Sequence, residues 1–332
     1  MDNLSHLNNK LNKYSFLITG GAGFIGSNLA NYLVQNGAGF VRVLDNLSTG
    51  DIENLSSIME SPNFEFIKGD IRDQSICKQV VIGINFIVHN AALGSVQRSI
   101  DDPLKMNEIN ITGFLNILHA AKHSNDLIRL VYASSSSVYG DSTILPKRED
   151  LRGQNLLSSY AVSKYTNELY AGVFSINYGF HSIGLRYFNV FGLNQKLDDL
   201  YGAVIPKFIH SAKCNKSPII YGDGKNTRDF TYIENVIQAN LLALFNITIN
   251  KHEIFNIAAG QQTSIHELWN MIQFEYGVNI EPIFLENRMG DIAHSLADIT
   301  KAKLQLGYEP KVRIEEGLRK LLKLNSDKIL IK

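Results

Sequence analysis

Short apolar runs alternate with longer amphipathic stretches through the first half of the chain. Residues 14–19, 40–44, 64–68, 86–89, 130–133 and 182–187 are compact runs rich in Val, Ile, Leu, Phe and Tyr, and they read as strands. Between them, residues 24–35, 74–81, 103–123 and 160–178 read as helices. Asp73 can cap the second of these helices and Pro103 can open the third. Strands that are apolar throughout are buried on both faces, and strand–helix–strand units at this spacing build a parallel sheet. Right-handed crossovers then predict a doubly wound α/β domain.

The pattern changes after Tyr187. Residues 192–202 and 222–227 are rich in turn formers, and helical stretches recur at 203–213, 234–245, 264–276 and 314–322. The expected organisation is a larger domain, 1–187 with 228–260 returning to it, and a smaller α/β domain formed by 188–227 and 261–332. With 332 residues, 45% of them hydrophobic, the chain can bury a core of this size.

Charge and cysteine content narrow the function classes. Lys+Arg 32 against Asp+Glu 32 leaves a formal net charge of +0, without the basic field of a nucleic-acid binder or a membrane-surface anchor. Cys77 and Cys214 are too far apart for a CxxC motif and too few for a disulfide framework. The first ten residues are polar, and no window approaches the roughly 20 apolar residues of a membrane span. A soluble cytoplasmic protein is expected, with no membrane or nucleic-acid partner. His119 and His123 form an HxxxH pair, but Ala120 stands where a zincin helix needs glutamate, so no metal is expected.

The first strand leads through Thr19 into Gly20, Gly21, Ala22, Gly23, Phe24, Ile25 and Gly26, and a helix follows. Gly21, Gly23 and Gly26 satisfy GxGxxG, while Gly20, Gly23 and Gly26 satisfy GxxGxxG. Such glycines permit a tight turn and close approach of a pyrophosphate, which meets the unpaired N–H groups of the helix start. This is the dinucleotide loop of a Rossmann-type domain. The second strand ends at Asp45, followed by Asn46, about 20 positions on, where a carboxylate holds a ribose 2′-hydroxyl and repels a 2′-phosphate. NAD is therefore favoured over NADP.

Two further segments carry chemistry. Tyr160 and Lys164 stand at i and i+4 on a helix, on one face. Ser134, Ser135, Ser136 and Ser137 follow a strand and precede Val138, Tyr139 and Gly140, at the carboxyl edge where open α/β sheets bind ligands. A tyrosine titrating near 10 needs a depression of roughly 3 units, about 4 kcal/mol, to act as a base near pH 7. A neighbouring ammonium and a nicotinamide cation both favour the phenolate.

In this order and spacing, TGGAGFIG, the serine run before Val138 and YxxxK resemble the extended short-chain dehydrogenase/reductase family. From about residue 14 to 322 the chain is similar to its UDP-hexose 4-epimerases. The resemblance implies NAD as cofactor, a UDP-sugar as substrate and inversion of carbon 4 by transient oxidation. It implies Tyr160 as proton acceptor, Lys164 on the nicotinamide ribose, and Ser135 first, Ser136 second, as the bridge to the sugar hydroxyl. Around Gly20, Gly23, Phe24, Ile25, Gly26, Asp45 and Asn46, it extends the cofactor site to Ser48, Thr49, Gly50, Asp70, Ile71, Asn90, Ala91, Ala92 and Tyr187. For the sugar nucleotide it implies Ser95, Asn189, Val204 and Asn226, with Tyr221 at the uracil, Arg228 and Arg288 at the diphosphate, Asp291 at the ribose and Ser295 at the sugar, beside Ser135 and Tyr160. Two planar guanidinium forks suit a diphosphate.

Residues 91–99, 226–230 and 290–298 resemble the branch acting on UDP-N-acetylglucosamine and related uronic acids. Ser295 is small where a bulky residue would narrow the sugar pocket. Ala293 and Gln262 stand where relatives carry cations. Dehydratases and decarboxylases of this fold place an acidic residue in the serine segment, and none stands here. A non-catalytic NAD-sensing regulator would be expected to have lost Tyr160 or Lys164. The resemblance also implies a homodimer through the helices at 103–123 and 160–178.

Overall fold

The computed structural model describes residues 5–151, 155–179, 181–196, 203–286 and 292–329. Seven parallel strands form the central sheet: β1 (Ser15–Thr19), β2 (Phe40–Asp45), β3 (Phe64–Lys68), β4 (Phe86–His89), β5 (Arg129–Ser135), β6 (Ser182–Tyr187) and β7 (Glu253–Ile257). Their spatial order is β7–β6–β5–β4–β1–β2–β3. The chain first builds outward from β1 to β3, then returns to lay β4 on the other side of β1. That reversal opens a crevice at the carboxyl ends of β1 and β4, the place where such sheets bind ligands.

The continuous apolar runs are explained by burial on both faces. Phe16, Ile18, Phe86 and Val88 point into one core, while Leu17, Ile87, Leu130 and Tyr132 point into the other. The first core takes Leu29 and Leu33 from helix α1 (Phe24–Gln35) and Val236 and Leu244 from the helix Ile233–Leu244. The second takes Cys77 and Val80 from α2 (Gln74–Val80), then residues from α3 (Pro103–Asn107), α4 (Phe114–Ala121) and α5 (Ser159–Tyr178). Asp73 caps α2 by accepting from the amides of Ser75 and Ile76, and Pro103 stands at the start of α3.

The stretch 103–123, read as one helix, is instead broken by a π turn at Glu108–Gly113. The buried Asn110 sits in that wide turn. Its Oδ1 accepts from the Leu93 amide at 2.8 Å, and its Nδ2 donates to the Leu93 carbonyl at 3.0 Å and to Ser163 Oγ at 3.1 Å. A side chain that serves a neighbouring loop and a neighbouring helix displaces a regular turn, and π turns of this kind cluster at functional sites.

The smaller region is assembled from short strand pairs: Val190–Phe191 with Thr231–Tyr232, Thr227–Arg228 with Thr263–Ser264, and Ile219–Tyr221 with Ile283–Leu285. The helices Val204–Lys213 and Ile265–Tyr276 pack through Phe208 and Trp269, whose ring centroids are 5.4 Å apart. A capping box between Ser264 and Glu267 fixes the start of the second. Among the described residues, no helix is long and apolar enough to cross a membrane.

Candidate active site

The loop after β1 is held in a conformation that only glycine allows. Gly20 has φ +68°, and a Cβ there would meet the backbone of Ala91 at 2.6 Å. A Cβ on Gly26 would meet the Gly20 carbonyl oxygen at 2.3 Å. The turn closes through Gly23 N donating to Gly20 O, and no side chain caps the start of α1. Its first amides are left facing a groove of about 610 Å³.

Every cofactor residue expected from the sequence lines that groove except Gly50. Gly50 packs behind Asp45, where a Cβ would lie 3.0 Å from Asp45 Oδ2. Asp45 is buried at the end of β2, with Oδ2 accepting from the Ala22 amide at 3.0 Å and Oδ1 from the Leu47 amide at 2.8 Å. Asn46 Nδ2 donates to Asp70 Oδ2 at 2.8 Å. The sequence reading missed Arg72, a cation beside this edge of the groove. Arg72 binds Asp70 at 2.8 Å and Glu108 at 3.3 Å, and it holds the Asp70 carboxyl down at about 2.

The groove fits a dinucleotide on grounds independent of the glycine motif. Both amide atoms of Asn90, at the end of β4, are buried and lack a hydrogen-bond partner. Buried polar groups are rarely left unpaired, so a polar ligand is the natural partner of this amide. Next to it His89 pairs with Thr19 Oγ1 at 2.8 Å, and burial pushes its imidazole down to about 3.

At the centre of the groove stand Tyr160, Lys164 and the serine run. α5 starts at Ser158, whose hydroxyl accepts from the Ala161 amide, so Tyr160 lies in the first turn and points toward the end of β5. Ser135 is the serine of the run placed beside the Tyr160 phenol, where its hydroxyl acts to lower the phenol's pKa. It also accepts from the Ser137 amide at 3.2 Å. Ser136 lines the same groove. Lys164 Nζ donates to the Ala133 carbonyl at 2.8 Å and lies 5.9 Å from the Tyr160 ring centroid. Burial raises the Tyr160 phenol above its usual value, the Ser135 bond only partly opposing it, and burial lowers Lys164 to about 8. Desolvation disfavours the charged form of each group. A positive charge brought in by a ligand would add to that of Lys164 in favouring the phenolate.

The groove continues into a second cavity of about 540 Å³, and the two share Asn189, Val190, Ala203 and Arg228. Val204, Tyr221, Asn226 and Arg228 line the second cavity, whose walls include Phe208, Phe230 and Ile265. An apolar slot with one guanidinium at its mouth suits a flat base followed by a phosphate. Ser95 and Ser295 line the first cavity. Ser95 and Asn189 both sit at positive φ, +84° and +32°, a strain that concentrates at binding sites. Ala203 lines the junction as well, and Gly94 and Gln195 line the first cavity. Arg288 and Asp291 lie outside the described residues.

The sequence pattern of the GDP-mannose 4,6 dehydratase family matches residues 17–321. A UDP-glucose 4-epimerase of Mycolicibacterium smegmatis is 34% identical over 94% of this chain and 98% of its own length. The solved structure of a UDP-N-acetylglucosamine 4-epimerase from Methanobrevibacter ruminantium M1, in complex with UDP-N-acetylmuramic acid, is 35% identical with a TM-score of 0.89. It matches 95% of this chain and 99% of that one. A UDP-glucuronic acid 4-epimerase from Bacillus cereus, solved with UDP-glucuronic acid and NAD, is 31% identical with a TM-score of 0.87, over 95% of this chain and 99% of its own. With its Rossmann-type sheet, glycine loop and Ser135–Tyr160–Lys164 constellation, this chain belongs to the GDP-mannose 4,6 dehydratase family of extended short-chain dehydrogenases/reductases, among its UDP-sugar 4-epimerases.

Proposed function

We propose that the protein is an NAD-dependent UDP-sugar 4-epimerase whose substrates are UDP-N-acetylglucosamine and UDP-N-acetylgalactosamine, or their uronic acids. The observation that carries this reading is the continuity of the two cavities. Ser135 and Tyr160 stand in the groove that can take a dinucleotide, next to the mouth of a slot that can take a nucleoside diphosphate. We assign cofactor binding to 1–187 with 228–260, and UDP-sugar binding to 188–227 and 261–332.

The first amides of α1 and the carboxylate of Asp45 would hold NAD, with Asn90 and Tyr187 along its length. When bound, NAD supplies the reversible oxidation at carbon 4. Tyr160 takes and returns the proton of the 4-hydroxyl, and Ser135 bridges phenol and sugar. Lys164 steadies the phenolate and orients the nicotinamide ribose. Asn189 and Arg228 anchor the nucleotide so that the sugar can present either face to the same phenol.

The groove wall near the sugar is made of small residues, Gly94, Ser95 and Ser295, which leave room beside carbon 2 for an N-acetyl group. Substituting Ser295 by Tyr is expected to lower kcat/KM on UDP-N-acetylglucosamine relative to UDP-glucose by at least about tenfold, since a blocking ring exceeds the effect of one methylene. Matched kinetics on both sugars check this, and an unchanged ratio removes Ser295 as a gate. A panel that also includes the two uronic acids fixes the oxidation state of carbon 6. The neutral Gln262 and Ala293 favour an uncharged sugar.

Asp45→Ala is expected to narrow the preference for NAD over NADP by about tenfold while weakening NAD itself, because it removes both the 2′-hydroxyl acceptor and the partner of the Ala22 and Leu47 amides. Calorimetric titration with each cofactor reads the ratio, and equal preference in variant and wild type sinks the assignment of Asp45. The reading includes a cytoplasmic homodimer. Val162, Leu169 and Val173 on α5 and Leu104 on α3 leave apolar surface exposed on the helices expected to pair.

A further inference from the structure

Tyr160, Lys164 and Glu168 stand at i, i+4 and i+8 on α5, and therefore on one face. Glu168 is buried to 3% side-chain exposure, as is Arg186, its partner on β6. Its Oε1 accepts from Ser134 Oγ at 2.6 Å and from Arg186 Nε at 2.8 Å, and its Oε2 accepts from another Arg186 guanidinium nitrogen at 2.8 Å. Ser134 and Arg186 are register partners across β5 and β6, and the next pair along is Ser135 with Tyr187. One carboxylate thus ties the helix carrying Tyr160 to both strands, a single residue below Ser135 on one and Tyr187 on the other.

The Arg186 guanidinium is held in turn. It lies 4.8 Å from the Tyr139 ring centroid, and Tyr139 OH donates to Asn256 Oδ1 at 2.6 Å. Asn256 Nδ2 donates to the carbonyls of Lys147 and Asp298. The network therefore runs from α5 through the serine strand to the segment that follows Ser295.

We infer that Glu168, clamped by Arg186, is a positioning residue for the reaction: it sets the height of the Ser135 hydroxyl against the Tyr160 phenol. A buried ion pair is a poor device for stability, since apolar residues of similar volume commonly do as well. A bidentate pair with a third hydrogen bond is a good device for geometry. Geometry matters here because a misplacement of about 1 Å at reacting groups can cost about 100-fold in rate. The inference rests on the epimerase reading for its kinetic consequence, but its structural consequence is independent of it.

The test uses NAD-loaded E168Q and S134A. E168Q keeps the shape of the side chain and weakens its grip on Arg186, while S134A removes one hydrogen bond and leaves the ion pair intact. E168Q is expected to lower kcat per NAD-loaded enzyme by about 10–100-fold, with KM for the UDP-sugar and NAD content within about threefold of wild type. S134A is expected to lower kcat by about 3–10-fold without lowering the melting temperature. A crystal structure of either variant is expected to show the Ser135 hydroxyl displaced from the Tyr160 phenol relative to wild type, whichever sugar the enzyme turns over. If E168Q does not fold, S134A decides by the same readings. Loss confined to melting temperature or NAD content, with kcat per loaded enzyme unchanged and Ser135 placed against Tyr160 as in wild type, would overturn the inference.

Discussion

Tyr160→Phe is expected to lower kcat by at least about 100-fold while leaving the UDP-sugar KM within a few-fold of wild type. The substitution deletes one oxygen and keeps the ring, which packs against the second core. Binding contacts therefore survive, and what disappears is the hydroxyl proposed to exchange a proton with the sugar. A positioned acid–base contributes about 100- to 10,000-fold, and an interaction that matters only in the transition state lowers kcat and kcat/KM together. Burial sharpens this expectation, because the phenol is raised and Lys164 lowered to about 8 in the protein alone. A nicotinamide cation bound in the groove would add to the charge of Lys164 in favouring the phenolate. Wild-type activity should accordingly rise with pH as the phenol of the loaded enzyme ionises, and the residual activity of the Phe variant should lack that limb. Steady-state kinetics across pH on NAD-loaded protein check both points. Near-normal turnover by the variant would remove Tyr160 from the chemistry.

The parts of this site that were legible in the sequence are those made by neighbours in the chain. The glycine loop, Asp45 at the end of the next strand, and Tyr160 with Lys164 are each set by one turn or one helix, so spacing alone places them. The serine run was legible as a segment, but the choice of Ser135 depends on how β5 meets α5. Three features were hidden because distant segments make them. Asn110 stands inside the stretch 103–123, whose pattern reads as one helix, and its bonds to Leu93 and Ser163 are made by other segments. Glu168 and Arg186 are 18 residues apart and have no sequence pattern that separates a buried pair from two surface charges. β7 lies in 228–260, the segment expected to return to the larger domain, but its place at the sheet edge beside β6 depends on pairs such as Phe255 with Leu185, some 70 residues apart. The spacing of Tyr160 and Lys164 carries charge but not desolvation, which raises the phenol in the protein itself.

Gly26→Ala tests the cofactor loop at its tightest point, and the expected result is a loss of NAD affinity of about 100-fold. The added methyl would stand 2.3 Å from the Gly20 carbonyl oxygen and 2.8 Å from Gly21 Cα. Both contacts are backbone, so no side chain can swing aside to relieve them. The loop must move away from α1, yet it is pinned on its other side, where Gly20 N donates to the Leu44 carbonyl and Gly20 abuts Ala91. Overpacking at a site that cannot relax costs about 1–3 kcal/mol. Here that strain falls on the turn whose backbone must approach the pyrophosphate, so it is expressed mainly as lost binding rather than lost fold. The variant is expected to purify with little NAD, to keep a far-ultraviolet circular dichroism spectrum like that of wild type, and to regain activity when NAD is added at high concentration. The neighbouring Gly23→Ala serves as the internal comparison, because its nearest contact is a milder 3.2 Å to Gly20 O and its φ is negative. It should lose less affinity than Gly26→Ala. Equal NAD affinity in Gly26→Ala and wild type, measured by calorimetry on cofactor-stripped protein, would show that the pyrophosphate does not sit on this loop.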